Sequence, residues 1–585
     1  MCGVNGIVAY HPSAPPIDRD ELLRVRDAMR RRGPDGKGAW YSPDGRVGLG
    51  HRRLSMIDLS DAAAQPMVSA NGRYVLSYNG EIYNYKTLRR QLLESGAALQ
   101  THSDTEVVLE LLARDGVAAL EQLRGMFALA LWDRQERTVL LARDPFGIKP
   151  LYYEDDGWTL RFASQVRALR EVVRGTGSPD PAGLAGFLLL GSVPEPHTLH
   201  SGTWCLPAGH YLRCGPGGAE APVRWSREPA PPATRSDLKT ALHRSVVAHL
   251  TADVAVGVFL SAGIDSTVLA ALVKPHVEQL RTITVGFEEF RGSPADEVPL
   301  AAQVAAALNS EHQEHHYQQT DFDRDLPRVL EAMDQPSIDG FNTWIVAQAC
   351  ARAGMKAALS GAGADELFQG YPSFRDVPRW RRRVAPVGWI PGLGGVVRRL
   401  AGPLVEALGW SPKAAGMLEY GGSLSGAWLL KRGLFMPWEL PRLLGPELAR
   451  EGLKRLGLES RLASATRLAE TPAGQVAALE QQFYLRNQLL RDADWAGMDH
   501  GVEIRLPYVD RVLQRELGAA RYTKQDLFAV AAADLPGALG QRPKSGFGTP
   551  LGRWRGHPGP QWARGWAADL LAGLGPERDQ FPVRG

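Results

Sequence analysis

The sequence predicts two fold classes joined in one chain: an α+β sandwich of antiparallel sheets with flanking helices, then an α/β domain on a doubly wound parallel sheet. Three observations carry this reading. Up to about residue 210, apolar residues fall in short alternating runs separated by Gly, Pro and Asp turns. Beyond about residue 235, β-branched runs alternate with longer helical patterns, as a parallel sheet requires. Between the two, Gly215-Pro216-Gly217-Gly218 and Pro229-Ala230-Pro231-Pro232 break the composition and read as a linker.

In the first part, Arg73 to Tyr78 and Phe127 to Trp132 alternate as strands, and Arg19 to Arg31, Lys86 to Ser95 and Thr105 to Leu112 read as helices. In the second, Val254 to Leu260 and Thr282 to Phe287 read as buried strands, and Pro299 to Leu308 and Phe341 to Ala353 as helices. Residues from about 375 to 500 are helical in pattern, with no role that the pattern assigns. The expected boundaries are a first domain over 1–212, a linker over 213–234, a second domain over 235–560 and a fraying tail over 561–585.

Composition excludes several classes. Lys and Arg total 67 against 64 Asp and Glu, a net +3, which argues against a nucleic-acid binder. Arg379, Arg381, Arg382 and Arg383 read as a solvated helix face. The cysteines Cys2, Cys205, Cys214 and Cys350 have neither metal nor disulfide spacing. The first apolar run, Gly6 to Tyr10, lacks a basic leader, and no run nears the roughly 18 residues of a membrane helix. A cytoplasmic protein with no nucleic-acid and no membrane partner is the expectation.

Four sets of residues carry chemistry. Cys2 becomes the first residue if the initiator Met is removed, and its α-amine then titrates near neutrality and can serve its own thiol as base. Around it stand Arg32-Gly33-Pro34-Asp35-Gly36, His51-Arg52-Arg53-Leu54-Ser55, Asn79-Gly80-Glu81-Ile82-Tyr83-Asn84 and Ser103-Asp104-Thr105-Glu106. These supply an Arg for a carboxylate, acids for an ammonium, and an Asn amide with a Gly N–H for an oxyanion. The second set is Leu260-Ser261-Ala262-Gly263-Ile264-Asp265-Ser266-Thr267, small residues between a strand and a helix start, suited to phosphate but lacking the Lys of a Walker A loop. The third is Ser360-Gly361-Ala362-Gly363-Ala364-Asp365-Glu366, through Gly370-Tyr371. The fourth comprises Arg491-Asp492-Ala493-Asp494, Glu503 to Asp510 and Arg542-Pro543-Lys544-Ser545-Gly546-Phe547.

Taken together and in this order, the sets resemble the asparagine synthetase B family, over roughly residues 1 to 555. The resemblance makes the first domain an Ntn-hydrolase-like glutaminase (a class II glutamine amidotransferase) and the second an ATP-pyrophosphatase synthetase domain. It implies Cys2 as nucleophile with Asn79 and Gly80 as oxyanion hole, and glutamine held by Arg53, Leu54, Ser55, Met56, Ile57, Asn79, Gly80, Glu81 and Asp104. It implies ATP at Leu260, Ser261, Gly263, Asp265, Ser266, Val285, Ser360 and Gly361, Mg²⁺ on Asp265 and Asp365, and Lys544 countering charge as pyrophosphate departs. Glutamine, aspartate and ATP are the implied substrates. The oligomeric state stays open, a homodimer among the alternatives.

Two positions depart from the family pattern. Ala362 stands where the loop usually has Glu, so the proton lost by the attacking ammonia must go elsewhere, with Glu366 and Glu503 as alternatives, or the acceptor differs. Gln165 stands where Glu is common. Three functions therefore remain: asparagine synthesis from aspartate, amidation of another carboxylate, and a non-catalytic or glutaminase-only regulatory protein.

Overall fold

The computed structural model describes residues 2–172, 178–226, 237–388, 390–518, 521–537, 539, 548–557, 559 and 561–574. The first half is built from β1 (Gly3–Ala9), β2 (Gly36–Tyr41), β3 (Val47–Arg53), β4 (Met67–Val68), β5 (Tyr74–Ile82), β6 (Gly125–Asp133), β7 (Thr138–Arg143), β8 (Tyr152–Asp155), β9 (Thr159–Ala163), β10 (Thr203–Cys205), β11 (His210–Gly215), β12 (Gly218–Ala219) and β13 (Val223–Arg224). They form two antiparallel sheets, ordered β10-β8-β9-β1-β3-β2 and β12-β11-β7-β6-β5-β4, with β13 on β11. Val4, Val8 and Leu49 of one sheet pack against Val75, Ala128 and Leu141 of the other. The helices Tyr85–Glu94 and Asp104–Asp115 cover the outer face of the second sheet, and helix Arg19–Ala28 that of the first. The inner strands are therefore sealed on both faces, and β1 is buried along its whole length.

The second half centres on a parallel sheet of β14 (Val256–Phe259), β15 (Arg281–Phe287), β16 (Glu311–Tyr317), β17 (Ala357–Leu359) and β18 (Glu503–Arg505), ordered β16-β15-β14-β17-β18. One face is covered by helices Ile264–Val273 and Val298–Ala307, the other by helix Gly340–Arg352 and the helical region beyond residue 373. Pairing of Val258 with Leu359, and of Leu359 with Arg505, brings the turns after β14, β17 and β18 to one edge, where open α/β sheets bind ligands.

Two expectations about domain limits are corrected. The linker expected at 213–234 begins as sheet: β11 pairs with β7, β12 and β13, because its outward edge needs partners for its N–H and C=O groups. Residues 227–236 lie outside the described residues. The tail expected at 561–585 contains helix Trp562–Leu574, whose Trp566, Ala567, Leu570 and Leu571 are core residues; 575–585 lie outside the described residues. Part of the segment before residue 212 packs with the second half. Helix Pro181–Leu190 is apolar on every side and buried throughout, which no surface helix of the sandwich could be. It sits instead in the core of the second half with Trp428, Leu456 and Leu462, and Leu189 and Leu188 carbonyls accept from Leu434 N and Phe435 N at 2.7 and 3.0 Å.

Candidate active sites

The first site forms where β1 starts between β3 and the β5 sheet. Cys2 N donates to Asn79 Oδ1 at 2.8 Å, and the thiol lies 4.0 Å from the Leu54 carbonyl. Asn79 is fully buried, and with its oxygen engaged its Nδ2 has no hydrogen-bond partner among the described residues. A buried, unused donor beside a thiol is costly unless something accepts from it, and an oxyanion formed at the thiol would do so. Burial raises the Cys2 thiol above its ordinary value, while nearby positive charge, Arg53 included, acts the other way. Gly80 lies against the Met126 carbonyl and the Phe127 backbone, so any Cβ there would collide with β6.

Arg53 organises the wall of the site. Its guanidinium donates to the Ser60 carbonyl at 2.8 Å and to the Asp58 carbonyl, bending the chain after β3 over Leu54, Ser55, Met56 and Ile57. Ser55 N donates to Asp35 Oδ2 at 2.8 Å, and Asp35 also pairs with Lys356 of the second half at 2.9 Å. Asp104 accepts from Tyr78 Oη at 2.9 Å and Ile82 N at 3.1 Å, and burial pushes its carboxyl up to about 6. Glu81 turns toward the second half, 3.6 Å from Arg505 Nη2, and burial together with Glu503 raises its carboxyl.

A buried ion pair behind Cys2 joins the two halves. Arg32 donates from Nε to the Cys2 carbonyl at 3.2 Å and pairs with Asp494 of helix Arg491–Asp499 through two bonds of 2.6 and 3.0 Å. Gly33 permits this approach, since a Cβ there would stand 2.3 Å from Arg52 backbone. Arg32 and Asp494 both belong to motifs visible in the sequence, but their partnership across 462 positions is not.

The second site is a cavity of about 580 Å³ at the edge of the parallel sheet. Leu260, Ser261, Gly263, Asp265, Ser266, Val285, Ser360 and Gly361 all line it, with Asp365. Ser261 and Ser266 fix the loop: Ser266 Oγ accepts from Ser261 N at 3.0 Å, and Ser261 Oγ accepts from Gly263 N at 3.1 Å. Helix Ile264–Val273 starts at Gly263 with no side-chain cap, so its first N–H groups face the cavity, an arrangement suited to phosphate. Gly363 holds φ +92°, where a Cβ would also strike Val509.

Lys524 is the residue that sequence reasoning missed. Its ammonium bridges Asp265 and, at 2.9 Å, Asp365; burial lowers its pKa but the two carboxylates raise it further, leaving it above the ordinary value. The signal was weak, a lone Lys after a turn, with none of the glycines that mark the other loops. Because one cation reaches both carboxylates, Asp265 and Asp365 fit a shared Mg²⁺, which takes few protein carboxylates and completes its shell with phosphates and water. Lys544 lies outside the described residues, as do its neighbours 541–547.

The two candidate bases separate. Glu503 is held by Arg505 Nε at 2.6 Å and faces Glu81 across the junction of the halves, and it does not line the cavity. Glu366 is fully buried behind the cavity wall, accepts from Tyr371 Oη at 3.0 Å, and is pushed up to about 8 by burial and by Asp365. Ala362 lines the cavity and touches the apolar cluster of Leu54, Met56, Met126, Leu485, Met498 and Leu506, which runs between the two sites.

Comparison with known proteins follows the same division. A family model described as glutamine amidotransferase domain matches residues 1–225, and one described as asparagine synthase matches residues 237–577. Asparagine synthetase [glutamine-hydrolyzing] 1 of Bacillus subtilis is 32% identical over 96% of this chain and 89% of its own length. Asparagine synthetase B [glutamine-hydrolyzing] of Escherichia coli is 32% identical over 65% of this chain and 66% of its own. Amidase chry2 of Gibberella zeae is 30% identical over 64% of this chain and 60% of its own length.

Proposed function

The chain belongs to the asparagine synthase family and carries a glutamine amidotransferase domain ahead of the synthase region, and on that premise we propose that it uses ATP and glutamine to turn the side-chain carboxylate of aspartate into an amide. The observation that carries the reading is the pairing of Asp265 and Asp365 around a single cation, beside the uncapped helix start at Gly263.

At the first site, with the initiator Met removed, the Cys2 thiol gives its proton to its own freed α-amine and attacks the glutamine amide carbon, and the amine passes that proton to the departing nitrogen. Asn79 Nδ2 receives the oxyanion, ammonia leaves, and water hydrolyses the thioester to glutamate. At the second, the acceptor carboxylate attacks the α-phosphorus of ATP and pyrophosphate leaves. A Mg²⁺ on Asp265 and Asp365 would shield the phosphate charge, and Lys524 adds a fixed positive charge there. Ammonia then attacks the acyl carbon of the adenylate, the C–O bond to the phosphate breaks and AMP leaves, and the proton shed by the nitrogen passes to the departing phosphate or to solvent. Ammonia gains a proton in bulk water, and the apolar cluster from Leu54 to Ala362 supports a dry route between the sites.

A second reading, amidation of a different carboxylate, is favoured by Ala362, which leaves a methyl group on the cavity wall where a carboxylate could otherwise stand. Incubation with glutamine, ATP, Mg²⁺ and aspartate tests both. Asparagine with AMP and pyrophosphate in equal amounts supports the first. AMP formed only with other acids supports the second. No AMP with any acceptor sinks both and leaves a glutaminase or a regulatory protein.

A further inference from the structure

The surface holds one face that the chemistry above does not use. Helix Leu393–Ala407 buries Val405 on its packed side and is apolar on much of its exposed side as well. Its inner side packs on the short helix Met417–Tyr420, where Arg398 pairs with Glu419 at 2.6 Å and stacks on Trp438. Its outer side carries Val396, Leu400 and Leu404 at four-residue spacing, exposed by 48%, 76% and 62%. Leu408 and Trp410 extend the stripe past the helix end, and Val387 and Ile390 precede it, all more than two-fifths exposed. Single exposed apolar residues are ordinary, but seven within 24 positions of one excursion are not.

The same excursion concentrates positive charge. Residues 373 to 410 hold seven Arg against two acids, a net +5 in a chain whose total is +3. Arg379, Arg381, Arg382 and Arg383 of helix Ser373–Gly388 are exposed, and none forms an ion pair among the described residues. A solvated helix face accounts for the arginines taken alone, but not for the apolar stripe that follows them.

We propose that this excursion, residues 373 to 410, seats the protein on an anionic lipid surface, with Val396, Leu400, Leu404 and Trp410 in the headgroup boundary and the arginines against acidic headgroups. A basic helix segment with exposed Leu, Val and Trp has the composition of an interfacial element. Charge decides against a second copy as the occupant: a two-fold contact would set each net +5 element against itself. The element lies on the surface and does not cross, since no helix among the described residues is long and apolar enough to span a bilayer. It begins two residues after Tyr371 of the cavity wall.

Flotation of the full chain with vesicles tests the proposal. The protein is expected to float with vesicles of phosphatidylglycerol and phosphatidylcholine in equal parts, to stay behind with phosphatidylcholine alone, and to be released by salt. Leu400→Glu with Leu404→Glu should abolish flotation and leave glutaminase activity unchanged, because both side chains contact mainly solvent. Replacing Arg381, Arg382 and Arg383 by Ser should weaken binding by about fivefold for each arginine removed. Equal flotation with neutral vesicles, no flotation with anionic ones, or unchanged flotation of the leucine variant would overturn it. So would light scattering that finds a dimer in the parent chain and a monomer in that variant, which would assign the stripe to a second copy.

Discussion

Removing the Asp494 carboxylate should damage the glutamine site, although Asp494 belongs to the other half of the chain. Arg32 and Asp494 are 2% and 3% exposed and joined by two short bonds, so the pair is fully desolvated. Truncating one partner of a buried ion pair costs about 3–5 kcal/mol, because the other charge stays behind without water. Lys149, 3.8 Å from Asp494, can escape by losing its proton, and burial already lowers its pKa. Arg32 cannot, since a guanidinium holds its proton at any accessible pH. The cost therefore falls on Arg32, whose Nε supports the Cys2 carbonyl. Asp494→Ala should lower the melting temperature by several degrees and reduce kcat/KM for glutamine hydrolysis by at least tenfold. AMP formation with added ammonia should fall much less. Arg32→Met with Asp494→Leu should restore most of the stability, because an apolar pair of similar volume carries no desolvation cost. An Asp494→Ala protein with unchanged melting and unchanged hydrolysis, or with both activities equally reduced, would refute the reasoning.

Lys524→Ala should abolish AMP formation with any acceptor and leave glutamine hydrolysis intact, as measured by pyrophosphate and glutamate release. Cys2→Ala should do the reverse, stopping glutamine use while ammonia still supports synthesis. Glu366, held up to about 8 in the fold against an ordinary value near 4.5, binds a proton more tightly folded than unfolded. Its contribution is therefore complete below pH 4.5 and fades as pH rises through 8; Glu366→Gln should flatten the fall in melting temperature between pH 5 and 8. Trp566→Ala, which empties a core position in the expected tail, should destabilise the fold by about 3–5 kcal/mol in denaturant titration.

Much of the architecture was legible because it rests on local signals. Alternation marked β5 and β6, the composition break separated antiparallel from parallel sheet, and the glycine-rich turns marked the edge where β14 and β17 end. Cys2, Asn79, Asp265 and Asp365 stood out as candidates because a thiol, an amide and two acids sit in short, distinctive contexts. Helix Pro181–Leu190 was not assigned to its core, because an apolar run says that it is buried and not by whom. Lys524 was passed over for the same reason: its meaning lies in Asp265 and Asp365, both more than 150 positions away.

The sequence by itself determined which elements form and which side chains could react, since propensity, alternation and turn chemistry act over a few residues. Tertiary structure alone decided the partnerships: Arg32 with Asp494, Glu81 with Arg505, Lys524 with two carboxylates, and Glu366 rather than Glu503 beside the cavity wall. Each depends on burial and on charges brought within about 4 Å, where desolvation and Coulomb terms outweigh anything local sequence encodes.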